Sequence, residues 1–139
     1  MKRIITATVQ DRSGILNRIT GMLLRRQYNI ESISVGKSET PGISKMTLVV
    51  EVSDLRNLEQ LTKQLNKQID VIKVNDITDK AMVARELALI KVASNPQLIA
   101  EIQGVISPFR ASVIDISKDS IAIQVTGNPE KVEALITLL

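Results

Sequence analysis

Cysteine, histidine and tryptophan are absent from this chain, and its aromatic residues are one tyrosine and one phenylalanine. Without cysteine there is no disulfide, no thiolate nucleophile and no thiolate-bound metal. Without histidine the commonest general base at neutral pH is missing, and so is the commonest ligand of transition metals. Tyr28 and Phe109 are too few to form a stacking platform for single-stranded nucleic acid. Long apolar runs are also lacking, since stretches such as Thr47-Leu48-Val49-Val50 fall far short of a membrane span. The opening Met1-Lys2-Arg3-Ile4-Ile5 has no extended apolar segment behind its basic pair, so it reads as a strand and not as a signal peptide. The expectation is a cytoplasmic protein that neither spans a membrane nor binds nucleic acid.

Catalytic groupings are equally sparse. Asp11, Glu31, Asp70, Asp76, Asp115 and Asp119 stand singly, with no pair spaced for acid–base work. The serines lack a nucleophile-elbow context. These absences point away from an enzyme and away from a metal or cofactor held by this chain. What is present suits a folded protein. The 139 residues are 44% hydrophobic and 24% charged, enough apolar matter for a core and too little charge for disorder. The net charge of +3 comes from 18 basic and 15 acidic residues that are interleaved, which favours solubility over a polyanionic partner.

Periodicity divides the chain into two similar halves. Residues 4–9 are rich in β-branched side chains and predict a strand. Asp11-Arg12-Ser13-Gly14 is a turn, after which Ile15, Leu16, Ile19, Met22 and Leu23 recur at helical spacing up to Tyr28-Asn29. Ile30 to Val35 is a second strand, Pro41-Gly42 a reversal, and Met46, Leu48, Val50 and Val52 a third strand by alternation. Ser53-Asp54 caps a helix with Leu58, Leu61 and Leu65 as its buried stripe, and Ile69 to Ile77 is a fourth strand. The second half restarts with a strand at Leu87 to Val92. Asn95-Pro96 opens a helix bearing Leu98, Ile99, Ile102, Val105 and Ile106, which Pro108 ends. Val113–Ile116 and Ile121–Val125 flank Lys118-Asp119-Ser120 as a hairpin, and Asn128-Pro129 opens a last helix.

The fold expected is therefore α+β, with tandem ferredoxin-like β-α-β-β-α-β units, the second smaller and lacking its last strand. The boundaries expected are 1–77 for the first unit, 78–85 for a linker and 86–139 for the second. In the usual order of such units the second strand lies at a sheet edge, open to another chain. Ser32, Ser34 and Gly36 alternate there with Ile33 and Val35, so 32–36 reads as a homodimer seam or, equally on pattern, as a solvated edge.

One place resembles a binding site. Between the first strand and helix, the N–H groups of Gly14, Ile15 and Leu16 converge at a helix N-terminus, where backbone donors and the dipole favour a carboxylate. Gly14 allows close approach. Asp11 offers a negative charge to an ammonium group, and Asn29 adds amide donors and an acceptor. A carboxylate beside an ammonium describes a free amino acid, and Ile15, Ile30 and Ile33 favour an aliphatic one. The plainer reading is that Ser13 or Asp11 caps the helix and Asn29 ends it.

These residues also carry a family likeness. Asp11-Arg12-Ser13-Gly14-Ile15-Leu16-Asn17-Arg18 with Tyr28-Asn29-Ile30-Glu31-Ser32 resembles the N-terminal signature of acetolactate (acetohydroxyacid) synthase small subunits. So do Ser44-Lys45-Met46-Thr47 and Leu65-Asn66-Lys67-Gln68-Ile69-Asp70-Val71. Arg85-Glu86-Leu87-Ala88-Leu89-Ile90-Lys91-Val92 and Phe109-Arg110-Ala111 with Ile114-Asp115 resemble the second domain of that family. The resemblance implies an N-terminal ACT domain, a module that binds amino acids at dimer interfaces. It implies a homodimer docked on a large catalytic subunit that holds thiamine diphosphate, magnesium and FAD. It also implies activation of that partner and feedback inhibition by a branched-chain amino acid, usually valine. The ligand contacts it implies are Asp11, Gly14, Ile15, Asn29 and Ile30, the last from the facing protomer. An ACT-type sensor serving another enzyme or transcription is the alternative, though no helix-turn-helix or basic arm is evident. A purely structural assembly subunit is a further rival.

Overall fold

The computed structural model describes all residues 1–139. The chain forms two compact units, Met1–Met82 and Val83–Leu139. The first contains β1 (Lys2–Gln10), α1 (Ile15–Arg25), β2 (Asn29–Lys37), β3 (Ile43–Glu51), α2 (Leu55–Asn66) and β4 (Val71–Asp76). Its sheet has the order β2-β3-β1-β4, with every neighbouring pair antiparallel. This is the ferredoxin-like arrangement expected, and β2 is indeed an edge strand.

Alternation fixes which side of this sheet is covered. Ile5, Ala7 and Val9 of β1 and Met46, Leu48 and Val50 of β3 are buried on one face. Ile15, Ile19, Met22 and Leu23 of α1 and Leu58, Leu61 and Leu65 of α2 complete that core. The other face carries Thr6, Thr8, Lys45, Thr47, Lys73 and Asn75, which line a pocket of about 210 Å³. Truncating a fully buried leucine here, Leu61→Ala for instance, would cost about 2–5 kcal/mol.

The second unit contains β5 (Glu86–Ala93), α3 (Ile99–Ile106), β6 (Ser112–Ile116), β7 (Ser120–Gly127) and α4 (Pro129–Leu138). Its sheet order is β5-β7-β6, so β5 has one unpaired edge. Ile121, Ile123 and Val125 pack under Ile102, Ile106, Val132 and Leu135 in a separate core.

Several boundaries differ from expectation for local reasons. The first helix stops at Arg25, because Gln27 takes a left-handed conformation (φ 61°) that no helix continues through. Asn29 therefore begins β2 and does not close the helix. Ile69 is exposed in a turn, and β4 starts only at Val71. Asn95 does cap, accepting from the N–H groups of Gln97 (2.9 Å) and Leu98 (3.1 Å), but as a turn ahead of a helix that starts at Ile99. A bulge at Glu31 shifts the register of β2, so Ile30, Ile33 and Val35 all pair with inward-facing residues of β3.

Candidate functional site

The start of α1, like that of α3 and unlike those of α2 and α4, has no side-chain cap. Asp54 caps α2 by accepting from Asn57 N–H at 2.8 Å, and Asn128 caps α4 by accepting from Lys131 N–H at 2.9 Å. Asn95 serves the segment leading into α3. The residue before α1 is Gly14, in the left-handed region at φ 84°, and no side chain caps the helix. Neither Ser13 nor Asp11 turns back to take the amides, so the plainer capping reading does not hold. Ile15 N–H is occupied by the Arg12 carbonyl at 3.2 Å, and Arg18 N–H by that of Gly14 at 3.0 Å. Among the donors left without a protein acceptor are those of Gly14, Leu16 and Asn17. Asp11 is exposed at the same spot, its own N–H donating to the Gly42 carbonyl at 2.9 Å. Open donors at a helix N-terminus next to a carboxylate can receive an anion and a cation a few ångströms apart.

The turn is held from below. Asp70, 3% exposed, accepts from the guanidinium of Arg18, and Arg12 Nε lies 3.7 Å from its other carboxylate oxygen. The Asp70 carbonyl accepts from Gln10 N–H at 2.8 Å. No cluster of three or more His, Cys, Asp or Glu side chains is placed to hold a metal ion. No helix is long and apolar enough to cross a membrane.

Comparison with known proteins gives this geometry a family. Residues 5–73 match the model of the AHAS small subunit-like ACT domain, and residues 85–139 match that of the small subunit of acetolactate synthase. The chain belongs to the acetolactate synthase small-subunit family. It is 64% identical over 139 residues to the acetolactate synthase small subunit of Bacillus subtilis, covering all of this chain and 81% of that one. It is 47% identical over 137 residues to a probable acetolactate synthase small subunit of Methanothermobacter thermautotrophicus, covering 98% and 81%. The crystal structure of the Thermotoga maritima small subunit superposes with a TM-score of 0.88 at 36% identity, covering all of this chain and 86% of that one.

Within this family member, the residues expected to form the site do not all meet in one chain. Asp11, Gly14 and Leu16 come together, and Leu16 is exposed enough to touch a ligand. Ile15 does not present its side chain: it is 7% exposed and packed in the core, because the helical repeat that seats Ile19 and Met22 also carries Ile15 inward. Its N–H is engaged as well, so neither the side chain nor the amide of Ile15 is open at this turn. Ile30 likewise leans on the core.

Asn29 is the larger departure. It pairs with Glu51, which pairs with Lys2, at the end of the sheet where β1 begins. Asp11 follows Gln10, which pairs with Ile43 at the other end. Strand β1 separates these ends by about 25 Å at roughly 3.3 Å per residue. One chain therefore cannot bring its own Asp11 and Asn29 onto one small ligand. Ser32, Ile33, Ser34, Val35 and Gly36 lie exposed along the edge strand between those ends.

The ion pairs of Asp70 with Arg12 and Arg18 beside the candidate site are not evident in the sequence. Their partners are 52 and 58 residues apart in sequence, beyond any local spacing rule. The one available signal was a carboxylate between the apolar Ile69 and Val71.

Proposed function

We propose that this chain is the non-catalytic regulatory subunit of an acetolactate synthase, activating a large catalytic subunit and carrying feedback inhibition by a branched-chain amino acid, valine foremost. On this reading residues 1–77 are the ACT sensing domain, 78–85 the linker and 86–139 the second domain. The thiamine diphosphate, magnesium and FAD belong to the partner. The observation that carries the reading is the uncapped start of α1, with open amides at Gly14, Leu16 and Asn17 next to Asp11.

The site is completed by a second copy. Two β2 edges pairing antiparallel about Ile33 would set Asn29 of one chain opposite Lys37 of the other, and Ile30 opposite Gly36. That is the end of the sheet at which Asp11 leaves β1. The ligand carboxylate then sits on the amides of one chain, and its ammonium lies between Asp11 of that chain and Asn29 of the second. Leu16 and Ile30 border its aliphatic side chain. Such a ligand bridges the protomers, so it binds best to the dimer geometry that sets the bridge at the right width. Feedback requires only that this geometry be less activating, and a difference of about 1–3 kcal/mol between the two states suffices.

The test is to combine the chain with the large subunit and assay acetolactate formation with and without valine, alongside calorimetric titration of valine, leucine and isoleucine. Stimulation by the chain and relief of that stimulation by valine are expected. A chain that neither stimulates the large subunit nor binds any of the three would overturn the reading.

A further inference from the structure

Resting on the amino-acid-sensing reading, we propose that Asp70 is the positioning residue of the ligand turn, clamping the uncapped start of α1 in its receiving geometry from beneath. Asp70 is the one charged residue among the buried side chains of this chain. Its three attachments bracket the turn. Its carbonyl holds Gln10, just before Asp11, and its carboxylate reaches Arg12 on the turn and Arg18 within the helix. Arg18 in turn ties back through its own N–H to the Gly14 carbonyl.

At α1 the clamp stands where α2 and α4 have a side-chain cap. A helix start is ordinarily fixed by a side chain that takes its first amides, as Asp54 and Asn128 do here. That solution would fill the very donors a ligand carboxylate requires. Gripping the segment through arginine side chains and a flanking backbone amide fixes its position and leaves Gly14, Leu16 and Asn17 open. A buried carboxylate is costly unless it is well paired. Spending it beneath this turn is hard to explain by stability alone, since an apolar residue between Ile69 and Val71 would serve the core at less cost. The cluster of Asp70 with two arginines also keeps one net positive charge beside the amides, which favours an anionic group there.

The test uses the full chain with its large subunit and three versions: wild type, Asp70→Asn and Arg12→Gln. Arg12 is 65% exposed, so its replacement cannot remove core packing. Valine concentration at half-inhibition and valine-free activation are read separately, and backbone 15N relaxation is measured on the ligand-free chain. Asp70→Asn is expected to raise half-inhibition by about tenfold, the loss of one charge-assisted hydrogen bond, and Arg12→Gln by a smaller factor. The amides of residues 11–17 should gain mobility in Asp70→Asn while the later turns of α1 do not.

A purely structural role would lower thermal stability and valine-free activation in step, and Arg12→Gln would then leave half-inhibition unchanged. That pattern, or wild-type response in both variants, overturns the proposal. If wild type itself ignores valine, the sensing reading fails. The clamp then stands or falls on the relaxation data alone, and unchanged order at 11–17 in Asp70→Asn overturns it.

Discussion

Asn29 stands across from Glu51 at one end of the first sheet, and Asp11 leaves β1 at the other end, next to Gly42. A ligand touching both must draw them from different chains. Mixing two defective subunits checks this directly. Asp11→Ala and Asn29→Ala are each expected to weaken valine binding. In a heterodimer of the two, one site carries both defects and the other is intact. Valine inhibition should therefore reappear in part, through the one intact site of each heterodimer, when the two variants are unfolded and refolded together. A mixture as unresponsive as either parent would place both residues in one chain's site.

Gly14 offers a second test, because its two demands can be separated. Its φ of 84° strains any residue with a Cβ, although no atom lies within 4 Å of where that Cβ would sit. Gly14→Ala thus carries a backbone penalty of about 1 kcal/mol and adds no charge. Gly14→Asp carries a similar penalty, tempered by the tolerance of aspartate for this region, and places a carboxylate over the open amides. Calorimetry should find valine binding weakened modestly in Gly14→Ala and abolished in Gly14→Asp. Equal binding by the two variants would mean that the ligand's carboxylate lies elsewhere.

The order of elements could be read along the chain because both halves punctuate clearly. Asp54 and Asn128 cap where expected, and β3 alternates without interruption from Ser44 to Val52. Of the candidate site, only the local part was legible, the turn from Asp11 to Leu16. What stayed hidden depends on pairing at long range. The bulge at Glu31 turns Ile30 to the same face as Ile33 and Val35, whereas simple alternation would group it with Ser32 and Ser34. Asn29 seemed close to the turn because one helix joins them, yet a helix also carries its two ends apart. Asp70 is placed by the return of the chain after α2, and no motif of fixed spacing reports that.

The edge of β2 supplies a prediction about assembly. Ile33 is 38% exposed and Val35 44%, while their register partners Leu48 and Met46 are fully buried. Pairing of two β2 edges would cover both side chains and satisfy the open backbone groups of each edge. Ile33→Glu sets two carboxylates close to the symmetry axis of that pair, where like charges directly opposed cost about 0.2–1 kcal/mol before any burial is counted. Sedimentation equilibrium should show a dimer for the unaltered chain and a shift towards monomer for Ile33→Glu. Leu24→Glu, on the 78% exposed position of α1, serves as the control and should not move the equilibrium. Unchanged association of Ile33→Glu would remove this edge from the interface.

At the far end of the same sheet, Asp76 joins β4 to β1 through Arg3, whose guanidinium donates to it at 2.6 Å and to Asp79 at 2.8 Å. The Thr78 hydroxyl donates to Asp76 at 2.6 Å, and Ile4 N–H donates to that hydroxyl oxygen at 2.7 Å. Burial opposes the ionised form of Asp76. The hydrogen bonds from Thr78 and Arg3 and the positive charge of Arg3 outweigh it, leaving the carboxyl below its ordinary value of 3.8. A folded-state pKa below the unfolded one means that ionised Asp76 stabilises the native state. That contribution is complete above the unfolded value and is lost as pH falls through the folded one. Urea unfolding of wild type and Asp76→Asn should thus differ most at neutral pH. The gap should begin to narrow near pH 3.8 and continue to shrink below it, as wild-type Asp76 takes up its proton. A gap of constant size across that range would show that the ionised form contributes nothing and that only the shape of the side chain matters.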